Sequence, residues 1–301
     1  MLIDTHAHVN FKAFAEDAEA TIKRALDEGI WVVNVGTQID TSRQAVELAN
    51  KYPPYPSRGE EKGGGGVFAV VGLHPVHTYS QHLDEEETSF LSREEKFDYN
   101  AYYEFTKSPK VLGIGECGLD YYRLPQDDGL LAGQEDRHQG IKKIQKDAFV
   151  QQIKLAKEAK KALVIHCRPS VGSQDAYEDI LKILDEEVRS KKYELRFEIH
   201  SFTGSPEIVQ EFLKRGAYVG LNGIITFDKT GNMQKVVETV PLDRIVLETD
   251  SPYLTPVPHR GHRNEPLYVK HVAERVAEIK KVSFNEVADQ TTENAKKLFC
   301  L

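Results

Sequence analysis

The chain has 301 residues, of which 40% are hydrophobic and 29% are charged, and its formal net charge at pH 7 is −8. This composition excludes wholesale disorder, and no stretch approaches the roughly 18 apolar residues of a membrane-spanning helix. The negative net charge also argues against a broad basic surface for non-specific binding of nucleic acid. Binding of a polyanion therefore has to be local.

The three cysteines, Cys117, Cys167 and Cys300, are too few and too scattered for a disulfide framework. The first residues, MLIDTHAH, have neither the basic nor the apolar region of a secretory leader. We therefore expect a reducing compartment, the cytoplasm in the first place and the nucleus as the alternative. No membrane association is expected, and we expect a monomer because no segment marks an interface.

Eight short apolar runs rich in β-forming residues recur along the chain, with helical patterns between them. They cover residues 2–4, 31–35, 67–71, 111–114, 162–165, 195–199, 217–221 and 244–247. Alternating strands and helices predict a parallel sheet, and eight such units predict a closed (β/α)8 TIM barrel of the metal-dependent hydrolase type. We expect one domain over residues 1–301. No GxGxxG follows the first strand, which argues against a dinucleotide-binding fold.

The clearest helical periodicity lies between the fourth and fifth strands, where apolar residues occupy one face and lysines and glutamines the other. The predicted apolar face consists of Ile141, Ile144, Ala148, Phe149, Ile153, Ala156 and Ala159.

Three segments are predicted to be insertions into the barrel. Residues 52–66 are rich in proline, glycine and charge and predict a loop. Residues 80–110 are acidic and aromatic and predict one or two added helices, with a solvated acidic run near residues 85–87. Residues 169–174 lengthen the loop after the fifth strand.

Residues of the types that bind metals follow most of the predicted strands. In a (β/α)8 barrel the carboxyl ends of the strands meet at one mouth, where the active site lies. Residues i and i+2 of a strand point the same way, so His6 and His8 can reach one ion. The candidate ligands are His6, His8, Glu116, His166, His200 and Asp250, and His74 follows the third strand.

Imidazole nitrogens and carboxylate oxygens are suitable ligands for Zn²⁺ or Mn²⁺, and carboxylates also suit Mg²⁺. Glu116 lies between two histidine clusters in the chain and could bridge two cations. Two cations about 3.5–4 Å apart can activate a water and bind a phosphoryl group. The residues therefore predict hydrolysis of a phosphate ester.

At this level of detail the sequence resembles the TatD family of metal-dependent deoxyribonucleases, from its first residues to its last. The stretches that carry the resemblance are DTHAH at 4–8, GLHP at 72–75, GIGECGLDYY at 113–122, VIHCR at 164–168, HSF at 200–202, LETDSPYL at 247–254, RNEP at 263–266 and the segment 294–299.

The resemblance implies one cation held by His6, His8, Glu116 and Asp250, and a second held by Glu116, His166 and His200. It places His74 near the scissile phosphate. It also implies Mg²⁺-dependent cleavage of DNA, often as a 3′→5′ exonuclease on single strands. RNA is kept as an alternative substrate. The insertion at residues 169–174 departs from the family pattern and bears on the substrate channel.

Individual residues have alternative interpretations. Asp250 could cap a helix, because Asp-Ser-Pro is a good helix start. Glu116 could belong to a buried ion pair, and His74 could only hydrogen-bond its own turn. Arg168 fits phosphate oxygens as a substrate-binding residue, but a surface ion pair is the alternative.

Cys117 and Cys167 adjoin candidate ligands, and alternation along a strand points them away from the site, so we interpret both as packing residues.

The leading hypothesis is a two-metal phosphodiesterase in which Asp250 orients the attacking water and accepts its proton. A second hypothesis is hydrolysis of an amide, ester or lactone. Related barrel hydrolases often bridge their metals with a carboxylated lysine at the end of the fourth strand, whereas this chain has Glu116 there. A third hypothesis is a metal-binding scaffold without turnover.

Overall fold

The eight predicted strands form one parallel sheet that closes into a barrel. The computed structural model describes residues 1–53, 66–84, 89–92, 94–125, 134–188 and 195–301. The barrel strands are β1 (Leu2–Ala7), β2 (Ile30–Val35), β3 (Val67–Val71), β4 (Val111–Asp120), β5 (Ala162–Arg168), β6 (Phe197–Ile199), β7 (Tyr218–Leu221) and β8 (Ile245–Leu247). Each strand pairs with the next in the chain, and a parallel bridge between Ala7 and Ser251 joins the two ends. The predicted (β/α)8 barrel is confirmed.

Helices alternate with the strands and cover the outside of the sheet. They are α1 (Ala18–Asp27), α2 (Ile39–Asn50), α3 (Tyr99–Thr106), α4 (Gln134–Ala159), α5 (Asp175–Val188), α6 (Pro206–Leu213), α7 (Ile224–Phe227), α8 (Asn232–Thr239), α9 (Val269–Lys280) and α10 (Phe284–Phe299). Local signals set their starts. Ser205 and Ser283 each cap a helix by accepting a backbone hydrogen bond, and Pro206 follows the first of them. Among the described residues, no helix is long and apolar enough to span a membrane.

Helix α4 differs from its predicted face at one position. Ile144 is 49% exposed, whereas the glutamines Gln145 and Gln152 are fully buried. The buried face of the helix therefore includes both glutamines. Their amides are hydrogen-bonded to backbone groups at the ends of barrel strands, which offsets the cost of burying them.

The segment after β3 contains one helix, α3, as expected. It also contains an unpredicted feature, because residues Gln81–Asp84 and Ser89–Ser92 pair as antiparallel strands.

The two other predicted insertions have different outcomes. Residues 54–65 and the acidic run at 85–87 lie outside the described residues. In the 169–174 loop, Ser170 donates from its backbone N–H and its hydroxyl to Asp175 at 3.0 and 2.9 Å, so the loop is tied to the start of α5.

The inside of the barrel is apolar at one end and polar at the other. Near the amino ends of the strands, residues such as Ile3 and Phe68 pack against Leu298 and Phe299 of α10, which covers that end. Larger apolar side chains pack between the sheet and its helices. Every candidate ligand lies at the other end, so the fold brings them toward one mouth.

Candidate metal centre

Strand β1 aims two histidines at the same place. The pairing with β2 shifts by one residue between Asp4 and Ala7, and beyond this irregularity the side chains of His6 and His8 both point into the barrel. Their Nε2 atoms are 3.2 Å apart. The other ring nitrogen of His8 contacts the carbonyl of Val35 at 2.9 Å, which leaves Nε2 available to a ligand.

Strand β4 carries Glu116 at a second irregularity, between Ile114 and Cys117 in the pairing with β5. The Glu116 N–H donates to the carbonyl of Gly36 at 3.1 Å, which anchors the residue to the end of β2. Two residues later Gly118 has a φ of 140°, and a Cβ there would lie 2.1 Å from the carbonyl oxygen of His166. The close approach of β4 and β5 therefore requires glycine at this point.

The two carboxylate oxygens of Glu116 face two different sets of histidines. Oε2 lies 3.3 Å from His6 Nε2 and 3.6 Å from His8 Nε2. Oε1 lies 2.8 Å from His166 Nδ1 and 3.3 Å from His200 Nε2. We call His6, His8 and Asp250 the β1–β8 half of the site, and His166 and His200 the β5–β6 half. Glu116 lies between them.

Asp250 completes the β1–β8 half. Its Oδ1 is 3.4 Å from His8 Nε2 and 3.9 Å from His6 Nε2. Its backbone is left-handed, with a φ of 56°, and its N–H donates to the carbonyl of His6 at 2.9 Å. The alternative role as a helix cap is wrong, because the fully described stretch 248–265 contains no helix. The loop geometry instead turns the carboxylate toward the histidines.

The histidines of the β5–β6 half each have a buried carboxylate behind them. His166 Nε2 lies 3.1 Å from Asp120 Oδ2, and His200 Nδ1 lies 3.2 Å from Glu248 Oε1. A carboxylate in this position fixes the orientation of an imidazole and raises its basicity. Sequence reasoning missed both residues, although both belong to motifs that it singled out.

The electrostatics of the cluster follow from burial and crowding. Burial alone would raise the pKa of Glu116, but His74 and His200 outweigh it and hold that pKa well below its usual range. Burial, followed by the neighbouring His200, lowers the pKa of His6. The rings of His6 and His200 stack at 3.6 Å, an arrangement that disfavours two positive charges.

His200 shows the opposite shift. Burial opposes its charged form, but Glu248 and Glu116 outweigh burial and raise the pKa of His200 well above its usual range. The carboxylates therefore determine which imidazole of the stacked pair is the more basic.

His74 has a fixed tautomer. Its Nδ1 accepts a hydrogen bond from the N–H of Val76 at 3.1 Å, which places the proton of the neutral ring on Nε2. Nε2 lies 3.3 Å from Glu116 Oε1. Burial lowers the pKa of His74 to about 4, so the ring is neutral at pH 7. The structure thus brings His74 to the site as a hydrogen-bond donor.

Helix α4 supports the site from outside through its two buried glutamines. Gln152 accepts from the N–H of Leu73 at 2.9 Å and donates to the carbonyl of the same residue at 3.0 Å. Gln145 makes the same pair of bonds with Asp120, at 3.0 and 3.1 Å. One helix therefore holds the residue before His74 and the carboxylate behind His166.

Arg168 lies at the end of β5, two residues beyond His166. Its guanidinium carbon is 3.8 Å from the centre of the Tyr122 ring. The structure places it at the mouth, and its role as a phosphate-binding residue stays a prediction.

The two cysteines beside the ligands behave as predicted for packing residues. Cys117 and Cys167 are buried in the hydrophobic core, and burial raises the pKa of both thiols well above its usual range.

The donors present fit divalent cations. Five groups of His, Asp and Glu among the described residues have ligand atoms within 4.8 Å of one another, and three of them consist of predicted ligands alone, namely His6–His8–Glu116, His6–His200–Asp250 and Glu116–His166–His200. Mixed imidazole and carboxylate donors suit Zn²⁺ and Mn²⁺ and tolerate Mg²⁺. The structure brings all six predicted ligands together, and the cluster could hold metal.

Comparison with known proteins gives a consistent assignment. The family model described as "TatD related DNase" matches residues 3–300. A Bacillus subtilis protein named "Uncharacterized metal-dependent hydrolase YabD" is 37% identical over 99% of this chain and 99% of its own length. The Salmonella typhimurium protein named "3'-5' ssDNA/RNA exonuclease TatD" is 29% identical over 99% of this chain and 98% of its own length.

Solved structures agree on the fold. The TatD homologue YJJV from Escherichia coli K12 superposes with a TM-score of 0.75 at 23% identity, covering 100% of this chain and 98% of that one. The lactonase Lmo2620 from Listeria monocytogenes reaches a TM-score of 0.61 at 14% identity, covering 99% of this chain and 94% of that one. The barrel is therefore shared by proteins whose names describe different activities.

Proposed function

Because the chain belongs to the TatD family of metal-dependent hydrolases, we propose that it is a two-metal phosphodiesterase that acts on DNA as a 3′→5′ exonuclease on single strands. The observation that carries this proposal is the division of the Glu116 oxygens between two histidine sets, at 3.3 and 3.6 Å on one side and 2.8 and 3.3 Å on the other. A carboxylate in this position suits a bridge between two cations.

Residues of the chain would hold the cations and handle the proton. His6, His8, Glu116 and Asp250 would hold one ion, and Glu116, His166 and His200 the other. When bound, two such ions lower the pKa of an attacking water and neutralise charge on the phosphate. Mg²⁺ is the proposed ion, with Zn²⁺ or Mn²⁺ as alternatives.

Two residues would act on the substrate directly. Asp250 has a side chain that is 15% exposed, so it can contact a water at the mouth and accept its proton. His74 carries its proton on Nε2 and can donate a hydrogen bond to a phosphate oxygen.

Arg168 would bind a neighbouring phosphate through its planar guanidinium. No residue is required as a covalent nucleophile in this scheme.

The choice of nucleic acid rests on relatives. Two proteins at 29% identity are named 3′-5′ ssDNA/RNA exonucleases, and both cover nearly the whole chain. RNA is therefore a second candidate substrate of the same site. The net charge of −8 fits an enzyme that binds a few phosphates at the barrel mouth and has no long basic groove for the rest of the strand.

The test is a digestion of end-labelled single- and double-stranded DNA, and of RNA, with Mg²⁺, Mn²⁺ or EDTA. We expect a ladder that shortens from the 3′ end, with single strands degraded faster and EDTA abolishing cleavage. Absence of metal-dependent cleavage of any of these substrates would overturn the proposal.

The amide, ester or lactone hypothesis is tested with a panel of lactones and cyclic amides. It would replace the proposal if these substrates turned over and nucleic acids did not. The chain argues against it, because β4 supplies Glu116 to the ligand cluster and neither β4 nor β5 contains a lysine. Cation binding without turnover of any substrate would leave the scaffold hypothesis.

A further inference from the structure

Tyr122 has an exposed aromatic ring just beyond the end of β4. The residue is 47% exposed, and among the residues whose burial is described the other exposed phenylalanine, tyrosine or tryptophan is Phe284, at the start of α10. A single exposed ring is common on protein surfaces, and what distinguishes Tyr122 is its place at the barrel mouth and its cationic neighbour.

Tyr122 lies two residues beyond the end of β4, next to residues that contact the ligand cluster. Residues 116, 118 and 120 of β4 alternate with the core residues Cys117 and Leu119, and Asp120 reaches His166 at 3.1 Å. Tyr121 points the other way, where its hydroxyl donates to Asp179 at 2.9 Å. Tyr122 comes next, in the turn after β4, so its backbone lies within about 7 Å of that of Asp120.

Arg168 lies beside the end of β4, at the end of the neighbouring strand β5. Asp120 pairs with Arg168 in the register of β4 and β5, and the N–H of Tyr121 donates to the Arg168 carbonyl at 2.8 Å. The Arg168 guanidinium then lies 3.8 Å from the centre of the Tyr122 ring. The stack joins a positive planar group to an aromatic ring, next to the residues that would hold the cations.

We propose that the Tyr122–Arg168 stack is a nucleobase platform, which binds the base of the nucleotide whose phosphate lies at the ligand cluster. This inference rests on the proposed function. Aromatic rings and guanidinium planes bind unpaired bases by stacking, and they do so with little regard to sequence because every base has a π-face. A base within a duplex is already stacked, so the platform favours single strands.

The test compares Tyr122→Leu, which removes the ring, with Tyr122→Phe, which keeps it. The substrates are a single-stranded DNA oligonucleotide and the same oligonucleotide with abasic residues at the two 3′-terminal positions. Phe284→Leu is the matched control, since it removes an exposed ring from the helix that covers the opposite end of the barrel.

For the normal oligonucleotide we expect Tyr122→Leu to raise KM about tenfold, with a smaller change in kcat, and Tyr122→Phe to restore KM. In the wild-type chain the abasic substrate should raise KM by a similar factor. In Tyr122→Leu it should add little, because the ring and the base contribute the same contact.

The results separate the two proposals. Wild-type cleavage with the same KM in Tyr122→Leu would overturn the platform and leave the phosphodiesterase intact. Equal and independent penalties from the abasic residues and from Tyr122→Leu would also overturn it. A wild-type chain that cleaves neither DNA nor RNA would overturn the proposed function, and the platform with it.

Discussion

The two halves of the ligand cluster are built differently. In the β5–β6 half, His166 and His200 each have a carboxylate behind them, at 3.1 and 3.2 Å. In the β1–β8 half the carboxylate of Asp250 faces the histidines directly, and His8 is backed by the Val35 carbonyl at 2.9 Å. The buried carboxyl groups of Glu198 and Glu248 also lie within 4.8 Å of a His6 nitrogen, so the contrast concerns direct contact. In one half a carboxylate contacts the outer nitrogen of each histidine, and in the other the closest carboxylate contact is on the ligand side.

This difference indicates a division of labour. Carboxylates behind imidazoles increase ligand basicity and fix orientation, which suits an anchoring site. A carboxylate at the mouth can also exchange protons with water, which suits the reacting side. We therefore expect the β5–β6 half to retain its cation more tightly, and the β1–β8 half to matter more for turnover.

The largest effect is expected for Glu116→Ala, which removes the residue between both halves. Activity should fall about a thousandfold or more, because neither cation keeps a full set of ligands. Metal content by mass spectrometry and the rate on labelled DNA give the two readouts. Glu104→Ala, at an exposed helix position, is the control. Full metal content and activity in Glu116→Ala would contradict the bridging role.

Asp250→Asn should affect the two halves of the ligand cluster differently. The substitution keeps the shape of the side chain but removes its charge and its capacity to take up a proton, so kcat should fall about a hundredfold. The β5–β6 half should still bind one equivalent of metal. Exposed Asp243 offers a matched Asp→Asn control. Loss of both equivalents, or an unchanged kcat, would show that the halves do not divide as proposed.

Asp120→Asn acts behind His166 without touching the β1–β8 half. Loss of the carboxylate should weaken metal binding about 10- to 100-fold, the usual cost of removing such a partner. Titration with a fluorescent competing chelator measures this affinity. Asp179→Asn is the control, because Asp179 bonds Tyr121 on the outer side of the same strand end. Equal metal affinities of Asp120→Asn and Asp179→Asn would contradict the anchoring role of Asp120.

The smallest effects are expected for the helix α4 glutamines. Gln152→Leu leaves a buried N–H and carbonyl of Leu73 unpaired and should lower the free energy of unfolding by about 2 kcal/mol. It should also reduce kcat several-fold through His74 while metal affinity is preserved. Gln145→Leu should instead reduce metal affinity through Asp120. Urea denaturation and chelator titration distinguish the pair, and identical profiles would contradict separate roles.

Much of this molecule was predictable from local patterns. Apolar runs at regular intervals predicted the barrel, because alternating strands and helices can bury both faces of a parallel sheet in few ways. His6 and His8 were predictable as a pair, because the i, i+2 spacing determines direction on a strand. The predicted face of α4 was wrong at Ile144, since periodicity alone does not reveal that buried glutamines have backbone partners.

The sequence by itself determined the fold class and the set of side chains that meet at the mouth. Only the tertiary structure decided how Glu116 divides its oxygens and which carboxylates lie behind the histidines. The physical reason is that these features depend on register shifts in β1 and β4 and on contacts between distant strands. A one-residue shift redirects every following side chain, and no local pattern in the chain records it.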